Sequence, residues 1–363
     1  MIILAIGLPK IEIVFKKLAA TAVQRSARGI VALIVKDTTS EDFDVVEYKS
    51  QTEIETTKFT AANVKYIQDV FSGGASKVIV VRIGTEEGTP TATAVRALGS
   101  RKYNWIGFAE GAPADHTALV AYVKEQESAN LKNIKAVVFN VTSPDSMSVV
   151  NFANEKVTYQ DGTEVTGEKY VARILGLLAG LPMTQSATYM ELADLSYVVE
   201  PGDVEAAINS GKFVLFNDEE TVRVARAVNS MTTVTGGQSE DMKKIIIVET
   251  MHQIKEDIYR TFKTDYLGKY KNKYDNQVLL ISAINGYFTG LAAEDILDPD
   301  FANTCYVDVE SQRNAWISTG KVEAAEWDEA QVRINTFRSN VFLSGNVKIL
   351  DAMEDFEFGI TME

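Results

Sequence analysis

Between residues 25 and 142, short runs that are apolar almost throughout alternate with helical stretches, and no other feature narrows the fold as much. "RGIVALIVKD" reads as a buried strand. "KFTAANVKYIQDVFSGGASKVIVVRIG" reads as a helix, a glycine break at Gly73 and Gly74, and a strand over 77–83. "YNWIGFAE" predicts another strand, "DHTALVAYVKEQES" a helix capped by Asp115 with Leu119, Val120 and Val123 on one face, and "IKAVVFNV" a further strand. Strand, helix, strand at this spacing predicts an α/β unit of three or four strands over 25–142.

The texture changes over 143–238, which reads as an α+β segment. "NEKVTYQDGTEVTGEK" predicts a hairpin turning at Asp161 and Gly162. "GEKYVARILGLLAG" predicts a helix stopped by Gly180 and Pro182, and "INSGKFVLFNDEETVRVARAVNSMTT" two strands about a turn at 217–220. A C-terminal core over 239–346 opens on a helix capped by Ser239, with Glu240 and Asp241 in its first turn and its end at Gly268. Ile247, Met251, Ile254, Ile258 and Phe262 follow its apolar face. A second helix from near Asp275 buries Leu280, Ile284, Tyr287, Phe288 and Leu291, and a third runs through "DVESQRNAWISTG". The closing "QVRINTFRSNVFLSGNVKILDAMEDFEFGITME" reads as β, with Gly345 and Asn346 at a turn.

Both ends carry period-two patterns. Phe356, Phe358, Ile360 and Met362 fall on one side of an extended chain, with Asp355, Glu357, Thr361 and Glu363 on the other. Near the start, Ile11, Ile13 and Phe15 oppose Glu12 and Lys16. Each is a half-buried strand that pairs within its own chain or completes a sheet elsewhere. Neither contains a proline to blunt its edge.

Chemistry is sparse by comparison. The 363 residues carry 36 Lys and Arg against 50 Asp and Glu, a formal net charge of -14, which repels a phosphate backbone. Lys269, Lys271 and Lys273 in "KYKNKYDN" read as a solvated turn, so no nucleic-acid partner is expected. No G-x-G-x-x-G, P-loop or G-x-S-x-G occurs. His116 and His252 read as surface or boundary residues, and the single cysteine, Cys305, as a small buried apolar residue. Acidic pairs such as Glu354 with Asp355 read as solvated carboxylates. No apolar run reaches bilayer length, and the opening "MIILAIGLPK" lacks a basic signal region, so no membrane insertion is expected. Catalytic, cofactor-binding and metal-binding residues are therefore all expected to be none. The competing class, a nucleotide- or flavin-binding α/β enzyme, needs a site at the carboxyl ends of the strands, and no phosphate loop is there to supply it.

The stretches "KVIVVRIG", "YVARILGLLAGLPMTQSATYMEL", "SGKFVLFNDEETVRVARAVNSMTT" and "NVKILDAMEDFEFGI" together resemble contractile tail sheath proteins. The likeness is to the compact subunits of myophages of Gram-positive bacteria, their defective prophages and phage-tail-like bacteriocins, and it covers nearly the whole chain. The resemblance implies an α/β and α+β multidomain subunit packed as hexameric rings stacked helically around a tail tube. The C-terminal domain would lie toward the tube, baseplate and tail terminator proteins would be further partners, and contraction would consume no nucleotide. It implies assembly in the bacterial cytoplasm, then residence in a virion tail or a released particle. It also implies that 1–24 is an N-terminal arm and 347–363 a C-terminal linking strand, each completing sheets of neighbouring subunits by β-augmentation. Ile11, Ile13, Phe15, Val347, Ile349, Phe356, Phe358 and Ile360 would then make the links, with hinges at 19–28 and at 344–346 or 352–355.

Overall fold

The computed structural model describes residues 22–85, 88–129 and 132–362. The expected strand at Ile11, Ile13 and Phe15 lies outside the described residues. The described residues separate into a larger compact unit (within 25–259, 291–298 and 348–362) and a smaller one (22–24, 260–290 and 299–347). Chain order begins β1 (Ile30–Lys36), β2 (Val45–Tyr48), α1 (Ala61–Ser72), β3 (Lys77–Ile83), α2 (Pro90–Leu98), β4 (Trp105–Phe108), α3 (Pro113–Ser128), β5 (Lys135–Phe139) and β6 (Val149–Phe152). It continues β7 (Lys156–Tyr159), β8 (Glu164–Thr166), α4 (Val171–Gly180), β9 (Leu195–Val198), α5 (Val204–Asn209), β10 (Lys212–Phe213), β11 (Leu215–Asp218), β12 (Thr221–Val224) and α6 (Ile245–Thr261). Then follow α7 (Tyr274–Ala293), β13 (Thr304–Val307), α8 (Val309–Ser318), α9 (Glu329–Ile334) and β14 (Leu343–Asn346).

The larger unit is built on a seven-stranded sheet in the order β10-β6-β5-β4-β1-β3-β2. Only the β2 edge runs antiparallel to its neighbour. Its strands are mostly apolar because both faces are covered, with charged residues chiefly at strand ends and on the β2 edge. Val31, Leu33, Val35, Val78, Val80 and Trp105 pack with Ile67 and Val70 of α1 and Leu175 and Leu178 of α4. Ile30, Ala32, Ile34, Ile79, Val81 and Ile106 pack on the other side with Leu98 of α2 and Leu119 and Val123 of α3.

The sheet expected to close by residue 142 continues through β6 and β10, which lie in the segment read as separate. The β5 to β6 connection contains no helix, so the strand–helix–strand signal is missing there. The hairpin β7–β8 turns at Gly162 (φ 84°), as the sequence predicts. With β9, β11 and β12 it adds Val157, Leu195, Val198, Leu215 and Val222 to the α1–α4 side of the core. Gly73 stands in the turn that ends α1, as read from the sequence, and it also lets helices touch. A Cβ there would lie 2.1 Å from the carbonyl carbon of Gly176, and one on Gly176 would lie 2.1 Å from the Val70 carbonyl oxygen.

Several local expectations are corrected. Asp115 is the third residue of α3 rather than its cap, and its carboxylate accepts from the Ala112 amide at 2.9 Å. Ser239 stands before a 3-10 turn over Glu240–Lys243 without a side-chain capping bond, and the α-helix expected there begins only at Ile245, because the Lys243 carbonyl and Lys244 are engaged by Asn229 and Val228. On α6 the expected apolar stripe of Met251, Ile254 and Ile258 is only half-buried, and the buried face includes Thr250, Gln253 and Asp257. Asp257 Oδ1 accepts from the Ser26 amide at 2.6 Å and from Gln253 Nε2 at 2.7 Å, so this face satisfies a returning backbone.

In the smaller unit, Leu280, Ile284, Tyr287 and Phe288 of α7 are buried as expected. "QVRI", expected as strand, is helical in α9. Asp328 and Gln331 cap it reciprocally, side chain to amide, at 2.7 and 2.9 Å. Gly345 and Asn346, expected at a turn, lie in β14, antiparallel to β13. A Cβ on Gly345 would sit 2.7 Å from the Thr304 carbonyl oxygen, so close strand approach explains that glycine.

Candidate linking site at the C-terminus

Beyond β14 the chain passes into the larger unit and is held there residue by residue. The Asp298 amide donates to the Lys348 carbonyl at 2.8 Å and the Leu350 amide to the Ile296 carbonyl at 3.0 Å, flanking a bridge between Leu297 and Ile349. Lys348 Nζ lies 2.7 Å from Asp298 Oδ2. Next comes an acidic run. Asp351 pairs with Lys244, Asp355 pairs with Arg226, and Glu354 Oε2 stands 3.2 Å from Lys244 Nζ. Glu354 Oε1 also accepts the hydroxyls of Ser186 and Thr188, at 2.8 and 2.6 Å. Burial works against the Lys244 ammonium, but the hydrogen bond to Asp351 and the Glu354 carboxylate outweigh it, so its pKa is raised.

Past Asp355 no hydrogen bond or ion pair ties the segment to the other described residues. Phe356, Phe358, Ile360 and Met362 are 89%, 69%, 74% and 90% exposed. The chain from 356 to 362 pairs with no strand among the described residues. The Phe356 and Phe358 rings stack with centroids 6.0 Å apart, so they share one side of the chain as the period-two pattern requires.

The residues singled out from the sequence fall into three groups. Ile11, Ile13 and Phe15 are outside the described residues. Val347 is 38% exposed, and Ile349 bridges to Leu297 of its own chain. Phe356, Phe358 and Ile360 project into solvent. Glu354, expected as a solvated carboxylate beside Asp355, has a side chain only 4% exposed. Its partners, at 186, 188 and 244, are more than a hundred residues away, so no local pattern could announce it.

Among the described residues of the smaller unit, β13 and β14 form a two-stranded sheet, and Tyr306 is 43% exposed on it. Such a pair gains stability from a third strand. The Asn285 side chain ties β13 to α7, accepting from the Cys305 amide at 2.6 Å and donating to its carbonyl at 3.2 Å.

The carboxyl ends of β1 and β4 border a cavity of about 370 Å³ lined by Lys36, Asn63, Glu110, Gly111 and Glu168, among others. Its lysine is already paired with Asp115 at 2.6 Å, leaving Glu110 and Glu168 to oppose a phosphate. His116 and His252, expected at the surface or boundary, are 1% and 6% exposed. Burial pushes His116 down to about 4 and His252 well below its ordinary range, so both stay neutral. Cys305 is buried as expected, its thiol pushed up to about 11. Among the described residues, no group of three or more His, Cys, Asp or Glu is placed to hold a metal ion. No described helix is long and apolar enough to cross a membrane.

Residues 82–230 match the phage tail sheath protein central domain family, and residues 237–363 the phage tail sheath C-terminal domain family. The tail sheath protein of Clostridium phage phiCD119 is 34% identical over 366 residues, covering 98% of this chain and 99% of that one. The phage-like element PBSX protein XkdK of Bacillus subtilis is 26% identical over 148 residues, 39% of this chain and 31% of that protein. Among solved structures, the sheath tail protein of Desulfitobacterium hafniense matches with a TM-score of 0.69 at 17% identity, covering 82% of this chain and 94% of that one. The helical sheath of the anti-feeding prophage in its contracted state matches with a TM-score of 0.71 at 13% identity, covering 98% and 99%.

Proposed function

This chain belongs to the phage tail sheath family, and we propose that its C-terminal apolar strand is what joins its copies into a contractile sheath. The observation that carries the reading is the abrupt change at residue 356. The chain is bonded to its own subunit up to Asp355, and three large apolar side chains on one face then enter solvent, with Phe356 89%, Phe358 69% and Ile360 74% exposed. A strand of this kind is a template for another chain. Added to the sheet of a neighbour, it gains main-chain hydrogen bonds and buries its apolar face. The two-stranded β13–β14 sheet of a second copy is the acceptor we favour, because it lacks a third strand among the described residues.

Donation from one copy to the next is a head-to-tail contact, and such contacts build rings or helices according to whether the rotation closes. The assembly we propose is six-membered rings stacked helically around a tail tube, ended by baseplate and tail terminator proteins. Residues 1–24 would serve as a second arm, and 239–346 would face the tube. Subunits would assemble in the bacterial cytoplasm and then reside in a virion tail or a released phage-tail-like particle. Contraction would widen and shorten the lattice while the linking strands stay paired, each subunit turning as a rigid body.

Electron microscopy of the purified protein beside a truncation ending at Asp355 tests this. The full chain should form hollow tubes. The truncation should stay unassembled with an unchanged melting temperature. A truncated chain that forms tubes of normal stability sinks the linking role.

A further inference from the structure

We infer that Glu354 is a positioning residue that fixes both where the linking strand leaves its subunit and which way its apolar face points. The inference rests on the linking role proposed above. A carboxylate is rarely buried unless it is partnered on all sides. Here the Glu354 side chain is 4% exposed and receives two hydroxyls and an ammonium. Those groups come from distant parts of the larger unit: Ser186 and Thr188 follow α4, and Lys244 directly precedes α6. They converge on one point, two residues before Phe356.

The spacing gives the pin its meaning. In an extended chain, residues two apart share a side. Glu354 is therefore in phase with Phe356, Phe358, Ile360 and Met362, whereas Met353, out of phase, is fully exposed. Turning Glu354 into its own subunit orients the aromatic residues that follow. A slip of one residue would present the opposite, polar face to the neighbour. Asp351 and Asp355 brace the pin through Lys244 and Arg226. If it were released, residues 351–355 would join the free segment and lengthen its reach by roughly 16 Å at ~3.3 Å per residue. Registers closed to the pinned strand would then become accessible. Bending between subunits is accordingly placed at the Asp355–Phe356 junction and beyond, and not within 352–355.

The test uses full-length protein with Cys305→Ala, so that one introduced thiol carries a nitroxide at Met353→Cys or at Ile360→Cys. In unassembled protein the label at 353 should tumble slowly and the label at 360 fast. Glu354→Ala should make the 353 spectrum resemble that at 360, while the melting temperature falls by no more than several degrees and unfolding stays cooperative. Thr188→Val, which removes the 2.6 Å hydroxyl, should act in the same direction and serves if Glu354→Ala folds poorly. Tubes grown from Glu354→Ala should show mixed or blurred helical order by electron microscopy. The inference is overturned if the 353 label is already as mobile as the 360 label, if neither substitution moves it, or if released tails still build tubes of unaltered helical order. The spectra are read without assembly, so failure of the linking strand itself appears in the truncation at Asp355 and leaves the mobility result standing.

Discussion

Replacing Phe356 and Phe358 together by Ser should leave the isolated subunit intact and weaken its assembly by a large, calculable factor. The two rings are 89% and 69% exposed in the single chain, so they contribute little to its own stability. Surface changes of this kind usually fall within about 0.5 kcal/mol. If the strand adds to a neighbour's sheet, each ring is buried there, and full burial of a Phe stabilises by about 1.5–3 kcal/mol. A strand lying on a sheet keeps part of each ring in water. Taking about half of that value for each ring gives roughly 1.5–3 kcal/mol per link for the pair. At 1.4 kcal/mol per tenfold, the critical concentration for tube formation should rise roughly 10-fold to 150-fold. Pelleting across a concentration series reads that shift, with scanning fluorimetry on the unassembled protein alongside. Glu357→Ser with Thr361→Ala, on the other side of the strand, is the control and should shift it less than about threefold. The reasoning is refuted if the double substitution leaves the critical concentration unchanged. It is refuted equally if it lowers the melting temperature by more than ~4 °C, since the rings would then be packing on their own chain.

Two further outcomes follow from the larger unit. Gly176→Ala should cost about 1–3 kcal/mol, because the new Cβ would lie 2.1 Å from the Val70 carbonyl and force α1 and α4 apart. Scanning calorimetry should show a drop of several degrees with tube formation retained below the transition. Stability should also fall as pH drops from 6.5 toward 4, because His116 is held neutral at about 4 against an ordinary 6.5 and only the unfolded chain takes up the proton in that window. The full effect is about 3 kcal/mol. His252, lowered in the same direction, acts over the same window and below, so His116→Phe should flatten the dependence of melting temperature on pH without abolishing it. A pH profile unchanged by His116→Phe would refute the buried, neutral reading.

Long elements were legible in the chain wherever the apolar pattern had room to repeat. β1, β3, β4 and β5, helices α1, α3, α7 and α8, and the β7–β8 hairpin all stand where periodicity and turn residues put them. Errors came where a tertiary contact overrode a local preference. Asn229 and Val228 engage residues 243–244 and delay α6, and the close approach of β13 puts Gly345 into a strand. The six residues of α9 are too few to show a helical period, although the sequence holds its Asp328 and Gln331 caps.

The C-terminus divides the two sources of information most clearly. Alternation alone determined that Phe356, Phe358 and Ile360 share one face of an extended strand, because side-chain direction in a strand depends only on the parity of position. That the bonded segment ends at Asp355, and that Glu354 is a buried anchor instead of a solvated acid, was decided by Ser186, Thr188 and Lys244 arriving from elsewhere in the chain. A carboxylate's environment is set by whatever the fold brings to it, and a sequence read locally holds no record of groups more than a hundred residues away.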